Sequence, residues 1–402
     1  MLTLDKIYHA AFILKNAVNK TDMINALNID SLGNIFLKCE NLQKTGSFKI
    51  RGAYYKISQL KEDEITNGIV ACSAGNHAQG VALASKKNNI KATIFIPDGA
   101  PISKVEATKS YGADVKLVGE TYTESHDAAV EYCKKAGATF IDPFDDDDII
   151  AGQGTIGLEV LDQLPNVDVV IVPIGGGGLI SGVAYAIKQL RPECKVIGVQ
   201  AERAASMYCS IKNGVRTKTE VVSTFADGVA VKMPGVLTYD YISEYVDDIV
   251  TVSEDEIATA ILVLMEKQKL VCEGAGALSV AALLSKKVEV DNKNVCCILS
   301  GGNIDVNILN RVINRGLLSS GRTSDLYISL MDKPGQLEGV SRVIASNGGN
   351  VVGVFYDQGE ENTDINSCIL KIKMETRNFT QIQEIKDDLE KNGFCVLSRN
   401  PY

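Results

Sequence analysis

Strands that are followed by helices dominate the chain from about Asn34 to Ile298. Short runs rich in β-branched residues alternate there with helical patterns, and these runs read NIFLKC, GIVACS, KATIFIP, ADVKLVG, VDVVIVPI, KVIGVQ and VCCILS. Repeated strand-to-helix units form parallel sheets, whose ligands bind at the carboxyl ends of the strands. We therefore predict an α/β fold with its functional residues in the turns that follow the strands.

A different pattern begins after Ser319, Ser320 and Gly321, which are typical of a linker. The stretches DLYISL, NVVGVFYD, INSCILKIKME and FCVLSRN predict strands, with helices from about Gln336 to Asn347 and from about Phe379 to Asn392. This βαββαβ order predicts a ferredoxin-like module. The chain thus divides into residues 1–320 and a C-terminal module over residues 325–402.

Composition and charge exclude several classes of function. The 402 residues, 45% of them hydrophobic, carry a net charge of -9 and no run of basic residues interleaved with aromatics, so nucleic acid is not an expected partner. The longest uncharged stretch, Val169 to Ile187, is interrupted by Pro173 and four glycines and does not suit a membrane span.

The compartment follows from the N-terminus and the cysteines. The apolar run AAFIL is too short for the core of a signal peptide, and the ten cysteines form no CxxC pair. We therefore expect reduced thiols and a cytoplasmic protein. With only three histidines, a multi-histidine metal site is not favoured.

Four consecutive glycines, Gly175 to Gly178, join a buried strand to a helix in VDVVIVPIGGGGLISGVAYAIKQL. Without Cβ atoms, several N–H groups can converge on an anion at the start of a helix, whereas a tight turn would need only one or two glycines. A P-loop would require lysine where Val183 stands, and no frame completes GxGxxG. The pattern indicates a small monophosphate cofactor.

A second such turn lies in GIVACSAGNHAQGVALASKK, where a strand runs to Ser73 and a helix begins near His77. Between them, Ala74 and Gly75 present N–H groups that can hold a carboxylate, and the Asn76 amide can donate to a ring hydroxyl or phenolate. An ordinary Gly-Asn turn and a helix-start histidine are the alternatives.

Lys49 lies between Phe48 and Ile50 in KTGSFKIRGA, where a turn leads into a helix. It is either a surface lysine that covers the core with its stem or an amine that forms a Schiff base with a carbonyl cofactor. Ser300 follows the strand VCCILS and precedes two glycines. Its hydroxyl either caps the next helix or meets a cofactor ring nitrogen.

In this order, KTGSFKIRGA, SAGNHAQGVA, GGGGLISG and SGGN resemble the fold-type II pyridoxal-phosphate enzymes, specifically the threonine and serine dehydratase branch. The resemblance covers residues 1–320 and implies two parallel-sheet αβα lobes, with a smaller lobe over roughly 40–150 inserted in the larger one. From about Asp325, with DKPGQL after its first strand, the C-terminal module resembles an ACT regulatory domain.

The resemblance also implies residue roles. Lys49 would hold pyridoxal phosphate as a Schiff base and act as the general base, Asn76 would meet its 3′-oxygen, and Ser300 would face its pyridine nitrogen. The implied cofactor-binding residues are Phe48, Lys49, Asn76, Gly175, Gly176, Gly177, Gly178, Leu179 and Ser300. The implied substrate-binding residues are Ser73, Ala74, Gly75, Asn76 and His77, and the implied regulatory residues are Asp332, Gly335, Gln336 and Leu337.

The activity implied is deamination of L-threonine to 2-oxobutyrate and ammonia, with L-serine as a slower substrate. The alternatives are a serine dehydratase or serine racemase, a β-replacement enzyme of the cysteine-synthase type, and a catalytically dead amino-acid sensor. An amino-acid or nucleotide effector and a homodimer or homotetramer are also implied. Whether the role lies in isoleucine biosynthesis or in catabolism stays open.

Three weaker features complete the prediction. The acidic stretch Asp145 to Asp148 favours a solvated loop over a cation site. Glu273, in VCEGAGALSV, precedes small residues that suit close helix packing and is a candidate neighbour of the cofactor. The segment TFADGVAVKMPG resembles one that borders the site in relatives, which use a monovalent or divalent cation nearby, but no ligand set is evident in it.

Overall fold

A computed structural model describes residues 1–26, 28–29, 33–220, 223–357 and 366–397. It divides into two compact units, Met1–Leu309 and Asn310–Tyr402. The division falls inside the helix that precedes the predicted linker.

The elements follow one another in the alternating order that the sequence predicts. The strands are β1 Met23–Asn25, β2 Asn34–Lys38, β3 Ile69–Cys72, β4 Ala92–Ile96, β5 Asp114–Leu117, β6 Thr139–Phe140, β7 Val169–Pro173, β8 Lys195–Ala201, β9 Asp248–Val252, β10 Asn294–Ile298, β11 Thr323–Met331, β12 Asn350–Asp357, β13 Ser367–Glu375 and β14 Cys395–Val396. The helices are α1 Leu4–Leu14, α2 Lys49–Ser58, α3 Glu62–Ile65, α4 Asn76–Lys87, α5 Ile102–Ser110, α6 Tyr122–Ala136, α7 Asp147–Gln163, α8 Gly178–Leu190, α9 Ser206–Asn213, α10 Val236–Tyr245, α11 Glu254–Val263, α12 Leu278–Leu284, α13 Val306–Ser319, α14 Gln336–Ser346 and α15 Phe379–Lys391. Single helical turns lie at Glu40–Leu42, Glu202–Ala204, Asp227–Val229, Leu264–Gln268 and Ala275–Ala277.

Two parallel sheets form the N-terminal unit and confirm the predicted α/β class. The larger has the order β1-β2-β10-β7-β8-β9, in which only β1 runs antiparallel to its neighbour, and the smaller has the order β5-β4-β3-β6. Every residue of β3 and β7 is buried, as expected for strands covered on both faces. The carboxyl ends of β3, β7 and β10 lead into the three glycine-containing turns.

The sequence patterns missed β1, β6 and β9. The first two have three and two residues, too few for a recognisable alternation. Strand β9 begins with the exposed Asp248 and joins the edge of the larger sheet beside β8. An edge strand is less buried than a central one, and its sequence signal is correspondingly weaker.

Close helix packing brings the turns together. A Cβ on Gly152 of α7 would lie 2.6 Å from the Cα of Gly52 on α2, and a Cβ on Gly80 of α4 would lie 3.1 Å from the carbonyl carbon of Lys49. Only residues without side chains let these backbones approach so closely. The first turn of α2, which carries Lys49, is therefore held between α4 and α7.

A buried ionic cluster fixes the same helix from its other side. Arg51 is fully buried and donates through Nε to Glu40 Oε2 at 2.8 Å and through Nη1 to Glu159 Oε1 at 2.7 Å. Lys38, also fully buried, donates to Glu159 Oε2 at 2.6 Å. Burial would raise the pKa of Glu40, but Arg51, Lys38 and Thr21 lower it below its ordinary value overall. These charges stabilise the unit only as a complete set, since a buried charge without its partner is costly.

The C-terminal unit contains the predicted βαββαβ module. Its antiparallel sheet has the order β12-β13-β11-β14, and a β-bulge interrupts the β12–β13 register between Val351 and Gly353. Its core is formed by buried residues of the sheet and of α14 and α15, namely Leu326, Ile328, Leu330, Val340, Ile344, Cys368, Leu370, Ile372, Met374, Ile382, Ile385 and Leu389. The predicted helices, from about Gln336 and Phe379, begin at these residues.

Candidate active site

The chain that leads into α2 pairs with the chain that leaves β10. Ser47 forms a β-bridge with Gly301, and the N–H of Phe48 donates to the carbonyl of Ser300 at 3.1 Å. Two stretches that lie about 250 residues apart in the sequence are thereby joined at the start of α2. Lys49, the first residue of that helix, is placed next to Ser300 by backbone contacts alone.

Lys49 is half-buried and does not extend along the surface as an ordinary surface lysine would. Its Nζ donates to the carbonyl of Pro143 at 2.7 Å and lies 5.4 Å from the centre of the Phe48 ring. Burial lowers the pKa of Lys49 to about 8, although Asp142 and Glu273 oppose that shift. A lysine with a pKa near the working pH supplies the neutral amine that a Schiff base requires and can accept a proton.

The glycine loop lies between β7 and α8, as the sequence predicts. Gly177 has φ +102°, a left-handed conformation that favours glycine. Within the described residues, the N–H groups of Gly175 to Leu179 donate to no backbone or side-chain acceptor, since the first bond of α8 runs from the N–H of Ser181 to the carbonyl of Gly177. Free N–H groups at the start of a helix form an anion site.

Neighbouring elements hold this loop tightly. A Cβ on Gly176 would overlap the ring of Phe144, and one on Gly178 would lie 2.9 Å from the carbonyl oxygen of Phe144. The hydroxyl of Thr238, on α10, donates to the carbonyl of Gly176 at 2.7 Å. The loop therefore needs glycines for two reasons: they expose N–H groups, and they leave room for the ring of Phe144. The sequence did not indicate the second reason.

The turn after β3 carries the predicted substrate residues. The N–H of Gly75 donates to Ser73 Oγ at 3.1 Å, and a Cβ on Gly75 would meet nothing within 4 Å, so Gly75 borders open space. Ala74 precedes it and is half-buried. Asn76 and His77 begin α4.

His77 is a buried, neutral residue. Its Nε2 donates at 3.0 Å to the carbonyl of Ile141, which directly follows β6, the neighbour of β3. Burial and the nearby Lys49 lower the pKa of His77 to about 3, with the Ile141 carbonyl opposing the shift. At neutral pH this imidazole therefore carries no charge and orients the turn through one hydrogen bond.

The amide of Asn76 is held by two side chains from the large lobe. Its Nδ2 donates to Glu273 Oε1 at 2.5 Å, and its Oδ1 accepts from Asn303 Nδ2 at 2.7 Å. Asn303 in turn donates to the carbonyl of Thr45 at 2.8 Å. Asn303 had no sequence signal beyond its place after two glycines, and Glu273 was noticed only because small residues follow it.

Ser300 lies at the start of the third turn, which follows β10. It is buried, and its hydroxyl lies 3.4 Å from the carbonyl oxygen of Ala275, a long hydrogen bond. A hydroxyl so weakly engaged can reorient toward a ring nitrogen. Because serine is neutral, it accepts or donates one hydrogen bond there without supplying charge.

The acidic stretch is not the solvated loop that the sequence favoured. Asp145 accepts from the N–H groups of Val236, Leu237 and Thr238 at the start of α10, and Asp146 caps α7. Both interactions place negative charge at a helix N-terminus, where it is stabilising. The stretch therefore anchors two helices next to the glycine loop.

The described residues contain neither a metal cluster nor a membrane-spanning helix. Within the described residues, no group of three or more His, Cys, Asp or Glu side chains could hold a metal ion. No helix in that same part of the chain is long and apolar enough to cross a bilayer.

Comparison with known proteins supplies the family. The model of the family described as pyridoxal-phosphate dependent enzyme matches residues 14–301. This chain belongs to that family. The match includes Lys49, Asn76, the glycine loop and Ser300.

Relatives and solved structures agree with this family. The L-threonine ammonia-lyase of Thermotoga maritima is 48% identical over 98% of this chain and 99% of its own. The processed form of threonine deaminase isoform 2 from Solanum lycopersicum is 39% identical with a TM-score of 0.73, over 77% of this chain and 93% of its own. Maize serine racemase is 34% identical with a TM-score of 0.74, over 79% of this chain and 98% of its own.

The residues fit the family's cofactor. Lys49 provides a buried amine, the unpaired N–H groups of the glycine loop suit a phosphate, and the donors of Asn76 and Ser300 suit ring atoms. Pyridoxal phosphate, when bound, acts as an electron sink for charge that develops at a substrate α-carbon. The assignment of individual residues to its atoms remains a prediction.

The predicted regulatory residues lie in the C-terminal unit. Gly335 has φ +89° and precedes α14, whose first residues are Gln336 and Leu337. The N–H of Asp332 donates to the carbonyl of Asn366 at 2.9 Å. The turn predicted from DKPGQL is therefore present at a helix start.

Proposed function

We propose that this protein is a threonine ammonia-lyase, which converts L-threonine to 2-oxobutyrate and ammonia. The observation that carries the proposal is the buried amine of Lys49, whose pKa is lowered to about 8, next to a loop of unpaired N–H groups. The 48% identity to an L-threonine ammonia-lyase over nearly the whole chain supports the same substrate.

The predicted site residues divide the steps of this reaction among them. Lys49 would hold the cofactor through its amine and would also take the proton from the substrate α-carbon. The turn from Ser73 to His77 receives the substrate carboxylate through its N–H groups. The β-hydroxyl leaves with a proton as water, and hydrolysis of the resulting enamine takes up one water and releases ammonia.

Two other reactions could use the same residues. Serine racemisation is supported by the likeness to maize serine racemase, at lower identity than to the threonine enzymes. β-Replacement would retain the amino group and require a second nucleophile. We propose that threonine deamination dominates and that serine is deaminated more slowly.

A steady-state assay tests the proposal. Purified protein with pyridoxal phosphate is given L-threonine or L-serine, and 2-oxo acid, ammonia and D-serine are measured, with and without sulfide. We expect equal amounts of 2-oxobutyrate and ammonia from threonine. Formation of D-serine alone, or of cysteine with sulfide, would replace threonine deamination as the main activity.

Regulation is proposed for the C-terminal unit. Its ferredoxin-like order, and the turn at Gly335 that begins α14, suit an ACT domain whose N–H groups near Gln336 and Leu337 receive the carboxylate of an effector amino acid. We propose that the effector changes activity by favouring one conformation or association state of a homodimer or homotetramer.

The proposed location is the cytoplasm. All ten cysteines lie in the described part of the chain and none forms a disulfide. Burial raises the pKa of several of these thiols, for example that of Cys39 to about 12, and keeps them unreactive. Such cysteines suit a reducing compartment.

A further inference from the structure

Glu273 is a buried carboxyl to which the reaction above gives no role. Glu273 lies between the helical segments Leu264–Gln268 and Ala275–Ala277, and it is 4% exposed. Its N–H donates to the carbonyl of Gly301 at 3.1 Å, so its backbone is fixed to the turn that carries Ser300. A buried carboxyl is retained at such a place only with hydrogen-bonding partners.

Its side-chain partner is Asn76, on the small lobe. Asn76 Nδ2 donates to Glu273 Oε1 at 2.5 Å, and Asn303 donates to the opposite end of the same amide. Asn303 is itself tied to the carbonyl of Thr45, so its amide has one orientation. Together these contacts determine which end of the Asn76 amide is the donor.

An amide nitrogen carries two hydrogens, and Glu273 uses only one of them. The second hydrogen of Asn76 Nδ2 remains for a ligand. A Cβ on Gly301 would approach both Glu273 and Asn76 Nδ2 closely, and so glycine is required beside this pair. The second hydrogen of Asn76 Nδ2 can therefore donate to a ligand, with no side chain on Gly301 in the way.

We propose that Glu273 is a positioning residue that holds the Asn76 amide so that its second Nδ2 hydrogen is donated to the ring oxygen of the cofactor. The proposal rests on the function proposed above, because it assumes that pyridoxal phosphate occupies this site. Glu273 acts through Asn76 and itself contacts neither the cofactor nor the substrate.

The charge of Glu273 depends on neighbours from several elements. Burial and, less strongly, Asp227 raise the pKa of Glu273 while Asn76, Lys104 and Lys49 oppose them, and the resulting pKa is about 7. Asp227 and Lys104 form an ion pair with each other, between the Asp227–Val229 turn and α5. Near neutral pH the carboxylate form strengthens the bond from Asn76, since a charged acceptor binds more tightly than a neutral one.

Because these neighbours set the pKa of Glu273, two variants should shift that pKa in opposite directions. Asp227→Asn removes a like charge, so Glu273 ionises at lower pH. Lys104→Met removes a cation, so Glu273 ionises at higher pH. If Glu273 had only a structural role, the pH dependence of cofactor binding would not move in opposite directions in these two variants.

The test is cofactor binding to the apoenzyme, followed by absorbance and fluorescence between about pH 6 and pH 9. Glu273→Ala should weaken binding by about fivefold to tenfold, because Asn76 loses its anchor. Glu273→Gln keeps a neutral acceptor oxygen, so it should bind within about twofold of wild type at the acidic end, where Glu273 is protonated, but lose the tightening with rising pH that Glu273 contributes near neutrality. In Asp227→Asn the step should move to lower pH and in Lys104→Met to higher pH.

The control is Glu256→Gln, a carboxyl that accepts from the N–H of Ser253 at the start of its own helix and from Lys287. It should leave the binding curve unchanged. Circular dichroism checks that each variant is folded, and Glu273→Gln keeps the test valid if Glu273→Ala does not fold.

Wild-type turnover of threonine separates the two proposals. If wild type deaminates threonine while Glu273→Ala and Glu273→Gln bind the cofactor with the wild-type affinity and pH dependence, the role of Glu273 is refuted and the function stands. If wild type does not deaminate threonine, the proposed function fails, whatever Glu273 does.

Discussion

The Nζ of Lys49 donates to the carbonyl oxygen of Pro143 at 2.7 Å. Pro143 is followed by Phe144 and Asp145. The ring of Phe144 packs against Gly176, and the carboxylate of Asp145 accepts from the first N–H groups of α10. The loop around Pro143 therefore contacts the Lys49 amine, the glycine turn and α10. Movement of this loop would disturb all three together.

The first prediction concerns Lys49. Lys49→Ala should abolish the absorbance of the protein-bound Schiff base and nearly all threonine turnover, because the tether and the general base are lost together. Absorbance spectra and a 2-oxobutyrate assay measure both effects. Lys44→Ala, five residues earlier at an exposed position, is the control and should retain both signals. Wild-type spectra and rates in Lys49→Ala would contradict the assignment.

The second prediction concerns the glycine loop. Gly176→Ala should weaken pyridoxal-phosphate binding about tenfold or more, because the new methyl group overlaps the Phe144 ring and displaces the loop. The dissociation constant is measured by fluorescence. Gly99→Ala, where a Cβ would meet nothing within 4 Å, is the matched control. If Gly176→Ala binds as tightly as Gly99→Ala, the loop does not hold the phosphate.

The third prediction concerns the ionic cluster under α2. Glu40→Gln leaves Arg51 with an incomplete set of partners and should lower the free energy of unfolding by about 3–5 kcal/mol. Glu40 has a depressed pKa, so its stabilisation is present at neutral pH and is lost as pH falls through the folded-state pKa. Urea denaturation at several pH values measures both effects.

The control for that variant is Glu131→Gln, which removes an exposed i,i+4 pair with Lys135 on α6. Its denaturation midpoint should not change measurably. Equal stability of Glu40→Gln and wild type would show that the cluster does not stabilise α2.

The fourth prediction concerns pH. The pKa of His77 is lowered to about 3 in the folded state, whereas an unfolded histidine takes up a proton near its ordinary value of 6.5. His77 therefore contributes to stability above pH 6.5, and this contribution decreases by about 1.4 kcal/mol per pH unit as pH falls further. His77→Gln should reduce the acid sensitivity of the denaturation midpoint, while His126→Gln, at an exposed position on α6, should not. The same slope in all three proteins would mean that His77 is charged when folded.

The fifth prediction concerns the C-terminal unit. A chain that ends at Ser320 should keep threonine deamination but lose its response to amino-acid or nucleotide effectors, and Gly335→Val should reproduce that loss by straining a position with φ +89°. Isoleucine, valine and adenine nucleotides are the effectors to test. An unchanged response in the correctly assembled truncated enzyme would place the regulatory site in the N-terminal unit.

The amino-acid sequence was sufficient to predict the alternating elements, the βαββαβ order and the three glycine-containing turns. It could do so because strand and helix periodicities and glycine-rich turns are local signals. Motif order then gave the family. These signals depend on residues close together in the chain.

The contacts of those turns arise from the tertiary structure. The Phe144 ring against Gly176, the Lys49 bond to Pro143, and Glu273 paired with Asn76 all join residues from distant stretches. The shift in the pKa of Lys49 to about 8 likewise arises from burial, which no local pattern reports. Burial and long-range contacts exist only after folding, and they convert a lysine at a helix start into a reactive amine.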